Sequence, residues 1–412
     1  MTPPPFRRRL LGALLLCSAV EAQALEGDRI RPSVGAVYTY TDNVYYLDER
    51  VTPNFLKGGQ RSDQILGLRL GLDADHYWQR QTFTLRSTIT DNRHVTYDTL
   101  DYRSYNAKAT WNWVYDLRWD GDVGVERTQV ASNFYDFGNN SRLSRNLRTQ
   151  QAVFASGMMK MSADWKLRAA VRFADITNSQ AQFTTQDTQQ KTLEVGSRYY
   201  SKGTDDYLGL NFRVLDGEYP NRQVVAGSRV DNAFRQYTLE GALEYQLSGL
   251  TRLTGSAGFT TRRHSELSQR DFNGVTGRLT AIHTLSSKTS VSASAFRELG
   301  SWEDSFNNYV VTQGFSITPS QQLTDKLSVQ ASFAYRQRSF EGDPDFAQGN
   351  VPKREDSFQA YSLTASWLPL RQTRIDTTLS YDTRSANDAF AALAGASNFK
   401  VVTFMVSGQI TF

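Results

Sequence analysis

The stretch Phe399–Phe412, with the sequence FKVVTFMVSGQITF, decides the fold class of this chain. Apolar and mostly polar faces alternate along it with a period of two, which is typical of a β-strand between two different environments. One face carries Val402, Phe404, Val406, Gly408, Ile410 and Phe412. The other face carries Val401, Thr403, Met405, Ser407, Gln409 and Thr411. Because aromatic residues favour the membrane interface, a strand that runs to Phe412 is typical of the closing strand of a membrane β-barrel.

Residues 1–24 have the pattern of a secretory signal peptide. Residues 7–9 are three arginines, residues 10–20 form a short apolar run, and residues 22–24 read Ala-Gln-Ala. A charged region, an apolar run and an A-x-A site in this order predict cleavage after residue 24. We therefore expect an exported chain in which residues 25–412 form a single transmembrane β-barrel domain.

The composition of the predicted mature chain excludes several classes of protein. The only cysteine, Cys17, lies in the signal peptide, so no disulfide, thiolate metal site or cysteine nucleophile is expected. Without residues 1–24 the formal charge falls from +4 to +2, and a near-neutral chain does not favour a nucleic-acid partner. No later stretch holds the roughly 18 apolar residues of a membrane helix, which leaves a closed barrel as the way to span a bilayer.

The alternation of the last stretch recurs along the chain in segments of about ten to fourteen residues. In one such segment, Leu66, Leu68, Leu70 and Leu72 are separated by single polar or small residues. The predicted strands are 33–47, 64–76, 82–94, 103–115, 119–131, 147–160, 165–176, 188–200, 206–216, 234–246, 251–263, 272–284, 288–299, 306–318, 326–339, 356–367, 373–385 and 398–412. This is an antiparallel, all-β barrel of about eighteen strands, and an even number is typical of single-chain outer-membrane barrels.

The connections between the predicted strands also fit an outer-membrane barrel. Those after even-numbered strands are short, whereas those after odd-numbered strands are often long, which is the usual asymmetry between periplasmic turns and extracellular loops. Six of the seven tryptophans lie beside short turns, which predicts an aromatic girdle at the periplasmic interface. They are Trp78, Trp111, Trp113, Trp119, Trp165 and Trp367, and only Trp302 lies near a long loop.

If the apolar face meets lipid, the polar face lines a lumen. The basic candidates for the lumen are Arg69, Arg86, Lys108, Arg168, Arg172, Arg213, Arg252, Arg262, Arg278, Arg336, Arg338, Arg374 and Arg384. The acidic candidates are Asp73, Asp75, Asp120, Asp122, Glu126, Glu194, Glu240, Glu244, Asp376 and Asp382. Rings of fixed charge select solutes by sign, and arginines favour an anionic solute. The alternative is that these charges pair across neighbouring strands and only fill the lumen.

No pattern in the sequence predicts catalysis, a cofactor or a metal site. The histidines His76, His94, His264 and His283 have no metal-ligand spacing, and neither a nucleophile elbow nor a phosphate-binding loop is present. We therefore expect no enzyme activity. A barrel-embedded hydrolase stays an alternative, because a serine–histidine pair is set by the fold and not by spacing.

Three segments resemble one family of outer-membrane barrels. Val34–Leu47 (VGAVYTYTDNVYYL), Phe272–Thr284 (FNGVTGRLTAIHT) and Arg297–Tyr309 (RELGSWEDSFNNY) are similar to the exosortase-associated exopolysaccharide biosynthesis outer-membrane proteins, which are porin-like. The resemblance implies a role in secretion of a polysaccharide, and it supplies no catalytic residues.

The sequence leaves several functions open. The first hypothesis is an outer-membrane channel that exports an exopolysaccharide, with outer-membrane lipid, the polysaccharide, and separate periplasmic and inner-membrane export proteins as partners. The expected assembly partner is the barrel assembly machinery, which would bind the end of the chain at Phe412. The second hypothesis is a general or ligand-selective diffusion porin. A barrel hydrolase, a structural surface protein and a soluble β-sandwich are the remaining alternatives.

Overall fold

A computed structural model of the chain shows a closed β-barrel. It describes residues 29–412 except 51, 53, 133, 135–144, 202–203, 222–223, 226–227, 230, 232, 267, 302–308, 342–353 and 388–397. The predicted signal peptide, residues 1–24, and Trp302 lie outside the described residues. No helix in the described part of the chain is long and apolar enough to cross a membrane.

Eighteen long strands form the barrel wall, and two short strands form a hairpin in one loop. The first half of the wall consists of β1 (Arg29–Thr41), β2 (Asp63–Trp78), β3 (Gln81–His94), β4 (Tyr102–Val114), β5 (Trp119–Ala131), β6 (Leu147–Lys160), β7 (Trp165–Asn178), β8 (Thr188–Tyr200) and β9 (Tyr207–Glu218). The hairpin is β10 (Val224–Val225) with β11 (Ser228–Arg229). The second half consists of β12 (Phe234–Ser248), β13 (Thr251–His264), β14 (Phe272–Ser286), β15 (Thr289–Ser301), β16 (Tyr309–Thr324), β17 (Leu327–Glu341), β18 (Glu355–Leu370), β19 (Thr373–Ala386) and β20 (Phe399–Thr411).

Each wall strand pairs antiparallel with its neighbours in the chain, and the two end strands pair with each other. The seam runs from Ser33 opposite Thr411 to Thr41 opposite Thr403, so the barrel has no free edge. The prediction of an all-β, antiparallel barrel with eighteen strands is therefore confirmed. The predicted bounds 119–131, 147–160 and 188–200 match β5, β6 and β8 to the residue.

The faces of the wall follow from exposure. Large exposed apolar side chains, such as Leu239 and Phe259, lie on one face of the strands. The other face holds polar side chains that are almost fully buried, including Thr260 and Arg262, which are 1% and 3% exposed. A single curved wall can bury side chains only on its concave side. The apolar face is therefore the outer face, and the polar face is the inner face that lines the lumen.

The six tryptophans predicted to form a girdle all point outward near the short turns. Trp78 ends β2, Trp119 and Trp165 begin β5 and β7, and each of them is at least 43% exposed. An exposed indole at the end of an outward face is suited to the interface between hydrocarbon and water. The described tryptophans are therefore placed as the predicted girdle requires, on the outer face near the short turns.

Two predicted strand ends were wrong. The strand predicted at 33–47 ends at Thr41, and Tyr46 has a positive φ of 53°. The Asn43 side chain exchanges hydrogen bonds with the backbone N–H and C=O of Leu47, both at 2.8 Å, and thereby closes a turn that looks like a strand in the sequence. The strand predicted to end before Pro319 continues to Thr324, because this proline faces outward and interrupts pairing with β17 only between Ile317 and Ser320.

The loop from β1 to β2 has its own small core, which we name the loop cluster. Its buried members are Val44, Tyr45, Leu47, Leu56, Tyr97 and Leu100, from two neighbouring loops at the long-loop end of the barrel. Tyr45 packs edge-on against Tyr97 with ring centroids 5.0 Å apart, and its ring also contacts Phe134 of a third loop at 5.1 Å. The first loop is therefore packed against its neighbours at this mouth of the barrel.

Candidate functional site: the charged inner face

The strand register places all the predicted lumen residues on the inner face. Arg86, for example, lies directly opposite Asp73, and Arg213 lies directly opposite Glu194. Directly opposed residues of an antiparallel pair point to the same side of the sheet. The proposed lining set is Arg69, Arg86, Lys108, Arg168, Arg172, Arg213, Arg252, Arg278, Arg336, Arg374, Asp73, Glu194, Glu240 and Asp376.

A belt of alternating charges crosses the inner face from β4 to β13, and we name it the charged wall. At one end, the Glu126 carboxylate pairs with Arg172 and lies 3.9 Å from the Lys108 ammonium. Arg172 is on β7, two strands away from Glu126 on β5. This contact crosses over β6, where the inner face has the small residue Ala152.

The belt continues through two glutamates on β8 and β12. Glu194 pairs with Arg168 and, at 2.8 Å, with Arg213. The Arg213 guanidinium also reaches Glu240 at 3.1 Å, and Glu240 accepts a hydrogen bond of 3.3 Å from Ser256. Each carboxylate therefore has a guanidinium on at least one side, and the wall presents both signs within a few ångströms.

Other predicted residues form ion pairs of only two or three side chains, outside the charged wall. The Asp75 carboxylate accepts hydrogen bonds from Arg86 and from Arg31, the latter at 2.8 Å. The other pairs are Arg252 with Glu244, Arg278 with Glu298 at 2.6 Å, and Arg374 with Asp376 at 2.9 Å. Arg374 and Asp376 both lie on β19, whereas the other pairs join different strands. Pairing of charges, which the sequence left open, is therefore the rule on this inner face.

Six of the predicted residues differ from this rule. Among the residues that the structure describes, the members without an ion-pair partner within 4.0 Å are Arg69, Arg336, Asp73, Asp120, Asp122 and Asp382. At a longer distance, Arg336 interacts electrostatically with Asp382. The Arg336 guanidinium lies 5.7 Å from the ring centre of Phe358, and three glycines flank Arg69 on the inner face. Because these residues, Gly35, Gly67 and Gly71, have no side chains, the inner face beside Arg69 carries no bulky group.

Basic side chains outnumber acidic ones on the inner face of the described strands. The acidic side chains are Asp63, Asp73, Asp75, Asp120, Asp122, Glu126, Glu194, Glu240, Glu244, Glu298, Asp356, Asp376 and Asp382. The basic side chains are Arg29, Arg31, Arg69, Arg86, Lys108, Arg148, Lys160, Lys166, Arg168, Arg172, Arg198, Arg213, Arg252, Arg262, Arg278, Arg336, Arg338, Arg374 and Arg384. The chain is close to neutral as a whole, so its cationic excess is concentrated on this face.

The sequence predicted only two of the four members of one buried charged cluster. Asp356 is fully buried and lies within 3.1 Å of Arg338, Arg354 and Arg384. Arg338 and Arg384 were predicted to line the lumen, but Arg354 precedes β18 in a loop and Asp356 was not singled out. The guanidiniums also stack on two rings, with Arg354 4.0 Å from the ring centre of Phe340. Asp356 is an acidic residue on a face where the neighbouring strands carry Arg338 and Arg384. This difference in charge sign is the signal in the sequence that could have identified it.

The described residues hold no group of three or more potential metal ligands. His94 is the histidine with the closest acidic partner, with Nδ1 2.9 Å from Asp63. The same carboxylate accepts the backbone N–H groups of Gln64 and Thr96, so this pair fastens the loop between β3 and β4 to β2.

Comparisons with known proteins agree with the fold. OpdK, an outer-membrane protein of Pseudomonas aeruginosa, aligns over 94% of this chain and 100% of its own, with 11% identity and a TM-score of 0.51. A structure of OpdK with vanillate covers 95% and 100% of the two chains, at 10% identity and 0.51. OccK2 (OpdF) of Pseudomonas aeruginosa, in complex with glucuronate, covers 94% and 99%, at 10% identity and 0.50.

A scan against protein-family models found no match, and a search of curated proteins found none. The resemblance to the exosortase-associated family is therefore not confirmed and stays a prediction. The fold, the exposed apolar outer face and the tryptophan girdle together identify a porin-like β-barrel of the bacterial outer membrane.

Proposed function

We propose that this protein is a ligand-selective diffusion channel of the outer membrane that takes small carboxylated solutes. The excess of basic side chains on the inner face is the observation that carries this proposal. A lumen whose walls carry one net sign raises the local concentration of ions of the opposite sign. Solutes would cross it by passive diffusion.

The arginines of the charged wall are suited to carboxylates. A guanidinium offers a planar fork of N–H donors that matches the two oxygens of a carboxylate. Arg213 already binds two carboxylates of the wall, Glu194 and Glu240, which shows that its donors can be shared. A carboxylated solute can exchange with a wall glutamate at such an arginine without leaving the guanidinium bare.

Arg69 and Arg336 add cations that form no ion pair within 4.0 Å with any described residue, although Arg336 interacts with Asp382 at a longer distance. Such a cation attracts a solute anion without first breaking an ion pair of the wall. The ligands of two structural neighbours are also carboxylates, vanillate for OpdK and glucuronate for OccK2. These complexes support a carboxylate as the solute class here.

Export of an exopolysaccharide, which the sequence resemblance implies, is the other candidate. No family model supports that resemblance, and none of the contacts described above requires a polymer. Binding of Phe412 by the barrel assembly machinery, and partnership with separate periplasmic and inner-membrane export proteins, likewise stay proposals.

Release of entrapped solutes from lipid vesicles tests the proposal. Refolded protein should release lactate faster than glycerol, a neutral solute with the same number of carbon atoms, because the cationic excess favours the anion. Faster release of glycerol would contradict the proposal. Release of a long entrapped dextran sulfate would favour polymer export instead.

A further inference from the structure

A row of hydroxyl groups crosses the inner face of six consecutive strands, and we name it the hydroxyl row. Along the register from β15 to β20 each member lies opposite the next one, except that Thr318 and Ser332 lie where the pairing of β16 with β17 is interrupted. Thr318 and Ser332 are hydrogen-bonded at 3.2 Å. The members are Ser292, Thr318, Ser332, Ser362, Ser380 and Thr403.

A second line of hydroxyls runs beside this row toward the short-turn end. Ser320 lies opposite Gln330, and Thr364 bonds Thr378 at 3.0 Å. All members of the hydroxyl row are partly exposed on the inner face, and none of them is charged. Because a hydroxyl both donates and accepts, this wall can meet a hydroxylated solute in many orientations.

A cavity of about 400 Å³ lies at the short-turn end of this wall. The hydroxyls of Ser320, Ser328 and Ser366 contribute to its lining, together with the Arg374 guanidinium. Hydroxyl groups and a cation thus meet at one place on the inner face. Arg374 is 61% exposed even though it pairs with Asp376, so its guanidinium remains accessible.

We propose that the solute is a polyhydroxylated carboxylate, such as a sugar acid. This inference rests on the proposed function and narrows it. A solute in the cavity beside Arg374 can place its carboxylate on that guanidinium while its hydroxyls exchange hydrogen bonds with Ser320, Ser328 and Ser366, which line the same cavity. An apolar acid of the same size would meet polar groups that it cannot pair with, and a site built to pair with hydroxyls discriminates strongly against such analogues.

Gluconate and hexanoate are a matched pair of probes, because both are six-carbon monocarboxylates and only gluconate carries hydroxyls. We would measure the concentration of each acid that halves the ionic current through single channels in a planar bilayer. The wild-type protein should be blocked by gluconate at a concentration at least ~5-fold below that for hexanoate, which corresponds to the net gain of about one hydrogen bond.

The variant Ser320→Ala/Ser328→Ala/Ser366→Ala removes three hydroxyls from the lining of the cavity beside Arg374. It should lower this ratio by ~5-fold or more, without changing the preference for anions over cations. The control Ser357→Ala/Thr377→Ala/Ser385→Ala removes hydroxyls from the outer face of the same wall and should keep the wild-type ratio. Both variants are first checked for the folded, heat-modifiable barrel band on a gel.

Equal block by the two acids in the wild type, or an unchanged ratio in the inner-face variant, overturns the inference. If the channel is anion-selective in that case, the proposed function stands and only the solute class is wrong. A cation-selective channel that neither acid blocks overturns the proposed function as well.

Discussion

Arg213 lies directly opposite Glu194 across the β8–β9 ladder, and its Nε and Nη2 donate to the same carboxylate oxygen at 3.0 and 2.8 Å. The other oxygen of Glu194 accepts a hydrogen bond from Arg168. One carboxylate thus holds two guanidiniums at the centre of the charged wall. Removal of the Glu194 carboxylate should change the ion selectivity more than the fold, because the strands that carry both arginines stay paired.

We expect Glu194→Gln to make the channel more anion-selective. The substitution removes one negative charge and leaves Arg168 and Arg213 more open to solute anions. The anion-to-cation permeability ratio should rise by roughly twofold. The rise should be larger at low salt, because screening is weaker there and fixed charges act over longer distances. Single-channel currents in potassium chloride gradients measure this ratio. A ratio that falls would show that Glu194 does not restrain these cations.

Arg69→Gln should have the opposite effect. Arg69 has no ion-pair partner among the described residues, so its charge acts fully on the lumen. The permeability ratio for anions over cations should fall by roughly twofold at low salt. The control Arg127→Gln removes an arginine from the outer face, where Arg127 lies 5.5 Å from the ring centre of Tyr105, and should change the ratio much less. Equal effects of the two variants would contradict the assignment of the faces.

Asp356→Asn should destabilise the barrel strongly. Its carboxylate has no exposed surface, and three arginines lie within 3.1 Å of it. Removal of one member of a buried ion pair usually costs about 3–5 kcal/mol, because the remaining charges stay buried. Urea titration of the protein in lipid vesicles would measure the free energy of unfolding. The control Asp376→Asn, whose partner Arg374 is mostly exposed, should cost less than about 1 kcal/mol.

The loop cluster should open at high pH. Burial raises the pKa of the Tyr45 phenol, and the negative charge of Asp63 and the Tyr97 phenol act in the same direction. Burial also raises the pKa of Tyr97. A phenol whose pKa is higher in the folded state than in the unfolded state stabilises the fold below the unfolded value, near pH 10, and loses that contribution as the pH rises through the folded value.

The ultraviolet absorbance of tyrosinate tests this pH dependence. Tyr45→Phe should remove absorbance only from the late part of the titration, well above pH 10. The same variant should leave the barrel intact, since Tyr45 lies in a loop outside the strand ladders. Loss of absorbance near the ordinary phenol value instead would show that Tyr45 is not buried in the membrane-embedded protein.

The strands of the barrel wall could be predicted from the sequence, because a strand with one face in lipid repeats its apolar pattern every two residues. Leu66, Leu70 and Leu72 show this pattern in the sequence and stay exposed on the outer face of the barrel. The same alternation places the lumen candidates together on the inner face, and their role in lining a pore stays a prediction. It failed at Asn43, where side-chain hydrogen bonds form a turn within an apparently continuous strand.

The partners of the lumen charges could not be predicted from the sequence. Arg213 reaches one glutamate directly opposite and a second one diagonally, and the diagonal contact depends on the register of β9 against β12. The cluster around Asp356 joins residues of three strands and a loop. The hydroxyl row was missed for another reason: serine and threonine are common on polar faces, and only the register shows that they are aligned.

The zero-current potential of single channels across a gradient of potassium chloride tests the central claim most directly. That claim is that the inner face carries an excess of basic side chains and therefore favours anions. The account predicts a potential of the sign that chloride permeation gives, with a magnitude that falls in Arg69→Gln and rises in Glu194→Gln. A potential of the sign that potassium permeation gives would contradict it.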